Sequence, residues 1–225
     1  MSSIRPTWRS ILTALRTTLA EYNPHYKFNY TNYWEKRYRQ GGNSGLGSYG
    51  VLSDFKTNII NKFIQEYQAE TMIDFGCGDG QQIKNIKIKK YLGLDIAPSS
   101  VQMCQKLYSD DQSKSFILYH PQSFFNNFIK ADLVICLDVL YHITSEVDLK
   151  KTLTDIFSCA NNLVILYTNT ENFNYRRGRH IVYWDTYKYL KEFKNFLILE
   201  TIAQKYRDQS GADFIILKKL TSSTD

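Results

Sequence analysis

From residue 71 onward the chain alternates short apolar runs with stretches of helical period, the pattern of a parallel sheet covered by helices. The runs are TMIDF (71–75), KYLGLD (90–95), SFILYH (115–120), DLVICL (132–137), NLVILYT (162–168), NFLILETI (195–202) and DFIILKKL (213–220), so seven strands are expected. Between them, Val101, Cys104, Leu107 and Tyr108 fall on one helical face, and Leu149, Leu153, Ile156 and Phe157 on another. The last two runs are joined by AQKYRDQSGA, too short for a helical crossover, which predicts an antiparallel pair. Upstream, Trp8, Ile11, Leu12, Leu15 and Leu19 recur at helical spacing and predict an amphipathic helix packed on the core. No internal repeat or linker interrupts the pattern.

Composition adds bounds. A chain of 225 residues suits one core. Cys77, Cys104, Cys136 and Cys159 form no CxxC pair and have no histidine at zinc-finger spacing, so reduced thiols in a cytoplasmic protein are expected. No apolar run approaches the ~20 residues that cross a bilayer. The net charge is +6, of which residues 1–40 carry +5, so the remainder is nearly neutral. Such a balance differs from the broad basic face of a nucleic-acid binder. The first twenty residues lack acids and carry Arg5, Arg9 and Arg16, a composition shared with mitochondrial transit peptides.

Two glycine-rich stretches point to chemistry. In WEKRYRQGGNSGLGSYG (34–50), five glycines occupy the last ten residues, an amount of backbone freedom that suits a segment closing over something. In TMIDFGCGDG (71–80), an apolar run ends in Asp74, and Gly76, Gly78 and Gly80 follow at every second position, so the backbone can turn tightly against a ligand. A second acid, Asp95, ends the next run, where a carboxylate can accept both hydroxyls of a ribose. The dinucleotide fingerprint needs a glycine at position 81, and this chain has Gln81.

The stretch IDFGCGDG, with its acid before the first glycine, closely resembles the first motif of the class I S-adenosylmethionine-dependent methyltransferases, and ADLVICLDVLYHI (131–143) resembles their fourth-strand motif. The resemblance spans residues 71 to 220 and implies an α/β fold: a Rossmann-like seven-stranded sheet, mostly parallel with the last strand antiparallel, with helices on both faces. It implies S-adenosylmethionine as cofactor. By the same resemblance, Asp74, Gly76, Cys77, Gly78 and Gly80 line its methionine end, Asp95 and Ile96 its ribose and adenine, and Leu137 and Asp138 also bind it, on the motif that leads from the cofactor to the acceptor pocket. Many members carry an acid after the third strand, near the adenine; this chain has HPQSF at 120–124, with His120, Gln122 and Ser123 as possible replacements. Segment 34–50 resembles N-terminal segments of small bacterial and viral members, which makes residues 1–50 a helical segment and glycine-rich lid and residues 51–225 the methyltransferase domain. Trp34 and Gly47 would then touch the cofactor, and Tyr49 would project toward the reacting centre.

Acceptor chemistry is narrowed by residues that are absent. No Pro-Pro follows Asp138, as it would in enzymes acting on amino nitrogens of bases or glutamine, and no proline precedes a cysteine nucleophile. DVLYHI instead resembles segments of small-molecule and oxygen-directed methyltransferases. His142 is the leading candidate base, with Tyr49 and His180 in reserve. Arg176, Arg177, Arg179 and His180 can hold an anion, by bidentate pairing at the arginines, beside Tyr175, Tyr183 and Trp184. The expected acceptor is therefore an oxygen of a small anionic molecule such as a phosphorylated sugar, a nucleotide-linked metabolite or a glycan intermediate, with nucleic acid disfavoured. RNA- or protein-directed methylation and a non-catalytic cofactor-binding module are the alternatives. Asp138, Asn169 and Glu171 lack the full oxygen set of a magnesium site, so no metal is expected.

Overall fold

The computed structural model describes residues 28–126, 128–170 and 180–220. The predicted amphipathic helix around Trp8 to Leu19 lies outside them. Helix α1 (Tyr30–Arg39) starts at Asn29, whose side chain accepts from the Asn32 amide, and helix α2 (Gly50–Glu66) follows after a 3₁₀ turn at Leu46–Ser48. The sheet strands are β1 (Thr71–Phe75), β2 (Lys90–Asp95), β3 (Lys114–Leu118), β4 (Ala131–Leu137), β5 (Ala160–Asn169), β6 (Phe196–Ile202) and β7 (Ala212–Lys219). Between them lie α3 (Pro98–Leu107), α4 (Glu146–Cys159) and the short α5 (Thr186–Leu190).

Spatial order is β3-β2-β1-β4-β5-β7-β6. All neighbours up to β5 run parallel, and β7 is antiparallel to both β5 and β6. The order reverses direction at β1, so the crevice outside the carboxyl ends of β1 and β4 is the switch point where α/β sheets bind ligands.

Period-two alternation sends the two sets of side chains to two cores. On one face Val134, Cys136, Val164 and Leu166 pack with Leu149, Leu153 and Ile156 of α4. On the other Leu133, Ile135, Leu163 and Ile165 pack with Ile60, Phe63 and Ile64 of α2 and with Val101 and Cys104 of α3. Helices thus cover both faces. One local expectation changes. Leu107 is 53% exposed because α3 ends there and the ring of Tyr108 takes the inward place, stacking on Phe116. Only a 3₁₀ turn at Gln82–Asn85 follows the glycine turn, since few residues separate it from β2. Among the described residues no helix is long and apolar enough to cross a membrane.

Candidate active site at the carboxyl ends of the strands

A cavity open to solvent lies at the switch point. Its floor is the glycine turn. The amides of Gly76 and Cys77 both donate to the Leu94 carbonyl (2.7 and 3.0 Å), which folds the turn back onto β2. Gly76 (φ +93°) and Gly78 (φ +58°) sit in conformations that L side chains rarely adopt. A Cβ at Gly76 would come closer than 3.0 Å to Val139 Cγ2, and one at Gly78 closer than 3.0 Å to Ser44 Oγ. Gly80 faces the other way, toward Tyr108 and Cys104, and lies outside the cavity lining.

Two buried carboxylates line the cavity. Asp95 accepts from the Gly78 amide on Oδ2 and the Ala97 amide on Oδ1, both at 2.9 Å. Burial pushes its carboxyl up to about 6 against the pull of those amides. Asp74 accepts from the Tyr91 hydroxyl at 2.8 Å on Oδ2, while its Oδ1 accepts from no described residue. Burial pushes Asp74 up to about 7.

Opposite them stands an ion pair absent from the sequence reading. Lys56, on α2, reaches Asp138 Oδ2 at 2.6 Å, with side-chain exposures of 1% and 17%. Tyr141 donates to the other Asp138 oxygen at 2.7 Å, and Asp138 itself has φ +60° at the end of β4. Both ion-pair residues line the cavity. The signal was present: Lys56 interrupts the inward stripe Leu52, Ile60, Phe63 of α2, a position where an unpaired lysine would be costly.

Segment 28–50 crosses the mouth. Trp34, Tyr38, Ser44 and Ser48 line the cavity. The segment is fastened to the glycine turn by Ser44 N donating to Asp79 Oδ2 (2.8 Å), Asp79 N to Ser44 Oγ (2.9 Å) and the Tyr49 hydroxyl to Asp79 Oδ2 (2.7 Å). Glu35 accepts from the Ser99 amide and hydroxyl at the start of α3 (2.9 and 2.7 Å). Tyr49, expected at the reacting centre, thus has its hydroxyl engaged with Asp79, outside the cavity lining. Gly47 is also outside the lining, but a Cβ there would stand 2.9 Å from Asp138 Oδ2.

His142 lines the cavity at the end of a 3₁₀ turn (Leu140–His142). Its Nδ1 lies 2.8 Å from the His180 carbonyl oxygen, which can only accept, so the neutral ring carries its proton on Nδ1 and presents Nε2 as a lone pair. Burial pushes the His142 pKa down to about 4. Its ring stacks on His180 (5.3 Å, 16°), His180 stacks on Tyr33 (4.9 Å, 15°), and Trp34 meets His142 edge-on at 4.9 Å. Arg176, Arg177, Arg179 and Glu171 lie outside the described residues, and among those described no His/Cys/Asp/Glu cluster could hold a metal ion.

Residues 52–175, more than half of the chain, match the family described as the mRNA (guanine-N(7))-methyltransferase domain. The chain belongs to this family. Solved structures agree in fold. The N-methyltransferase NodS from Bradyrhizobium japonicum WM9, in complex with S-adenosyl-L-homocysteine, aligns with a TM-score of 0.69 at 12% identity, over 85% of this chain and 99% of its own. Magnesium protoporphyrin IX methyltransferase (ChlM) from Synechocystis PCC 6803 with bound SAH gives 0.58 at 17% identity, over 92% and 94%. Phosphoethanolamine N-methyltransferase 1 from Haemonchus contortus, with phosphoethanolamine and S-adenosylhomocysteine, gives 0.64 at 11% identity, over 87% and 49%. No curated protein sequence matches the chain. Fold and family together make it a class I methyltransferase, whose methyl donor is S-adenosylmethionine.

The methyltransferase has the donor set this cofactor needs. Asp74 Oδ1 is a buried acceptor in want of a donor, which an α-ammonium group supplies. Lys56 is a cation at the cavity wall, suited to a carboxylate, and the cradle at Gly76 and Gly78 would be closed by a single added carbon at either glycine. A pH dependence follows. In the unliganded protein Asp74 titrates near 7 and Asp95 near 6, and a cationic ligand favours their ionised forms. Cofactor affinity is expected to rise with pH and level off above 7, falling by up to about tenfold per unit below it, with proton release on binding near pH 6.5. Because the folded Asp74 holds its proton well above the usual 3.8, the unliganded fold loses stability as pH rises from 3.8 to about 7. Calorimetry of S-adenosylmethionine between pH 6 and 8.5 in buffers of different ionisation enthalpy checks this; an affinity flat with pH refutes it.

Proposed function

We propose that the chain transfers a methyl group from S-adenosylmethionine to N7 of a guanosine nucleotide at an RNA 5′ end. The observation that supports this reading is the state of His142. A histidine whose pKa burial lowers to about 4 is a weak proton acceptor at the reacting centre, even though the bond from Nδ1–H to the carbonyl pulls the other way. A site without a ready base suits an acceptor that has no proton to lose on methylation: a purine N7 carries none, whereas an alcohol must give one up. The layered rings of His142, His180 and Tyr33 suit a flat acceptor. The family's description names the same atom.

Bound S-adenosylmethionine supplies an electrophilic methyl: the N7 lone pair forms the new N–C bond, the S–C bond breaks, and the positive charge passes from sulfur to the purine. The chain's part is positioning, worth effective molarities up to ~10⁵–10⁸ M. In this reading Asp74 and Lys56 hold the ammonium and carboxylate, Asp95 the ribose, and Gly76, Cys77 and Gly78 shape the turn beneath them. Leu137 and Asp138 stand at the end of β4, with Ile96 beyond the ribose. His142 Nε2 accepts from an N–H of the acceptor and so orients it. Segment 28–50 serves as the lid, with Trp34 and Tyr38 over the cofactor, its closure excluding water from the reacting centre.

The competing reading, an oxygen of a small anionic acceptor, is supported by the basic run Arg176, Arg177, Arg179 and His180 and takes His142 as its base. The two are separated by offering capped RNA, a guanosine-capped dinucleotide, GTP and phosphorylated sugars with labelled cofactor, and locating the methyl by mass spectrometry. N7-methylguanosine from the capped substrates is expected. His142→Ala should lower kcat/KM by about tenfold, one lost neutral hydrogen bond, with an unchanged pH profile. Methylation on oxygen, or a loss of ~10²–10⁴ together with the acidic limb of the profile, would establish the competing reading.

A further inference from the structure

Sheet order distinguishes the ends of the cavity. The glycine turn after β1 and Asp138 after β4 stand at its centre, while Asp95 at the end of β2 and Tyr119 after β3 lie toward the β3 edge. A nucleoside with its ribose at Asp95 has its base beyond it, where the lining residues are Ile96, Tyr119, Pro121, Ile143 and Thr152. Of these only Tyr119 and Thr152 have polar side-chain atoms, and both are buried. Position 120 to 124, HPQSF, holds no acid.

The hydrogens of this end can be counted. The Tyr119 hydroxyl lies 2.9 Å from Asp155 Oδ2 and 3.2 Å from Thr152 Oγ1, but it has one proton to give. Asp155 is the stronger claimant, since its other oxygen is held by Lys151 Nζ at 2.5 Å and an ionised carboxylate only accepts. With the tyrosine proton on Asp155, the Thr152 hydroxyl turns its own proton to the Tyr119 oxygen. What Thr152 then has left are lone pairs. A buried polar chain of this kind is expensive to place beneath a cavity; Thr152 is among the residues lining it, with apolar residues beside it, and its oxygen, once its proton is turned to Tyr119, can only accept.

We propose that Thr152, oriented by Tyr119 and Asp155, recognises the 6-amino group of the cofactor's adenine by accepting one of its N–H bonds. Thr152 is the contact residue, and Tyr119 and Asp155 position it. Ile96, Pro121 and Ile143 give the base its apolar surroundings. The inference rests on the cofactor reading above and adds to it which residues select the base.

The test compares the binding of S-adenosylhomocysteine with that of two analogues, one with hydrogen and one with oxygen in place of the 6-amino group. The wild-type protein should bind the hydrogen analogue about five- to tenfold more weakly, the loss of one neutral hydrogen bond, and the oxo analogue more weakly still because acceptor then faces acceptor. Thr152→Val should bind the amino and hydrogen forms alike, Thr152→Ser should restore the preference, and Tyr119→Phe should reduce it. If Thr152→Val weakens both forms in parallel, or the wild type does not distinguish them, Thr152 has a packing role and the inference fails. If the wild type binds none of the three ligands, the cofactor reading falls and this inference with it.

Discussion

Lys56→Ala should destabilise the fold by about 3 kcal/mol, the lower end of the range for breaking a buried ion pair, because it leaves Asp138 beside the cavity without its cation. The lower end applies because the Asp138 side chain is 17% exposed and water can reach it. In a domain of this size that is a fall of roughly 6–12 °C in Tm. Lys56→Met, which keeps the volume, should lose nearly as much, and adding Asp138→Asn should recover part of it. The same substitutions remove the cation facing the cofactor, so affinity should fall a further ~10- to 150-fold, one charge-assisted hydrogen bond. Urea titration and calorimetry measure the two separately. A Lys56→Met protein within 1 kcal/mol of wild type would show the pair to be a surface contact in effect.

Gly76→Ala should be nearly as damaging and for a steric reason. The new Cβ meets Val139 Cγ2 closer than 3.0 Å, and the backbone stands at φ +93°. Overpacking costs about 1–3 kcal/mol and the strained backbone about 1–3 kcal/mol more. Relief would come from moving the turn away from β4, which dismantles the floor of the cofactor cavity, so binding should fall below detection. Gly41→Ala is the control. Its φ of +79° is similar, but nothing lies within 4 Å of the added carbon, so it should show the backbone cost alone and leave cofactor binding intact. Equal effects at the two positions would mean that conformation, and not crowding by Val139, makes glycine necessary at 76.

The strands were legible because each alternates faces or is apolar throughout, and the turn at 76–80 because glycine at every second position has few uses other than close approach. Strand ends moved by one or two residues where backbone pairing outlasts the apolar run, as at Ala160 and Asn169. Lys56 was passed over because periodicity counts it as a polar interruption, and the sequence does not show that Asp138, 82 positions away, stands opposite. Tyr49 was read as reaching the reacting centre, since its neighbours cross the cavity mouth. Its hydroxyl goes instead to Asp79, a residue whose side chain no local pattern singles out. Tyr119 and Thr152 belong to different elements that meet only through the fold, and each alone looks like ordinary core.

The last strand in the chain is sixth in the sheet, which sets how the protein can be made. Residues 163–167 of β5 are almost wholly buried in the finished fold, and one side of that strand is closed only by β7. During synthesis β5 therefore waits as an open apolar edge while some fifty later residues leave the ribosome, and β6 emerges first with no place to pair. The economical route is for β6 and β7 to form their hairpin and dock together, completing the sheet in one late step. Until then the nascent chain exposes to solvent, to other chains and to chaperones the strand that later lies at the middle of the molecule.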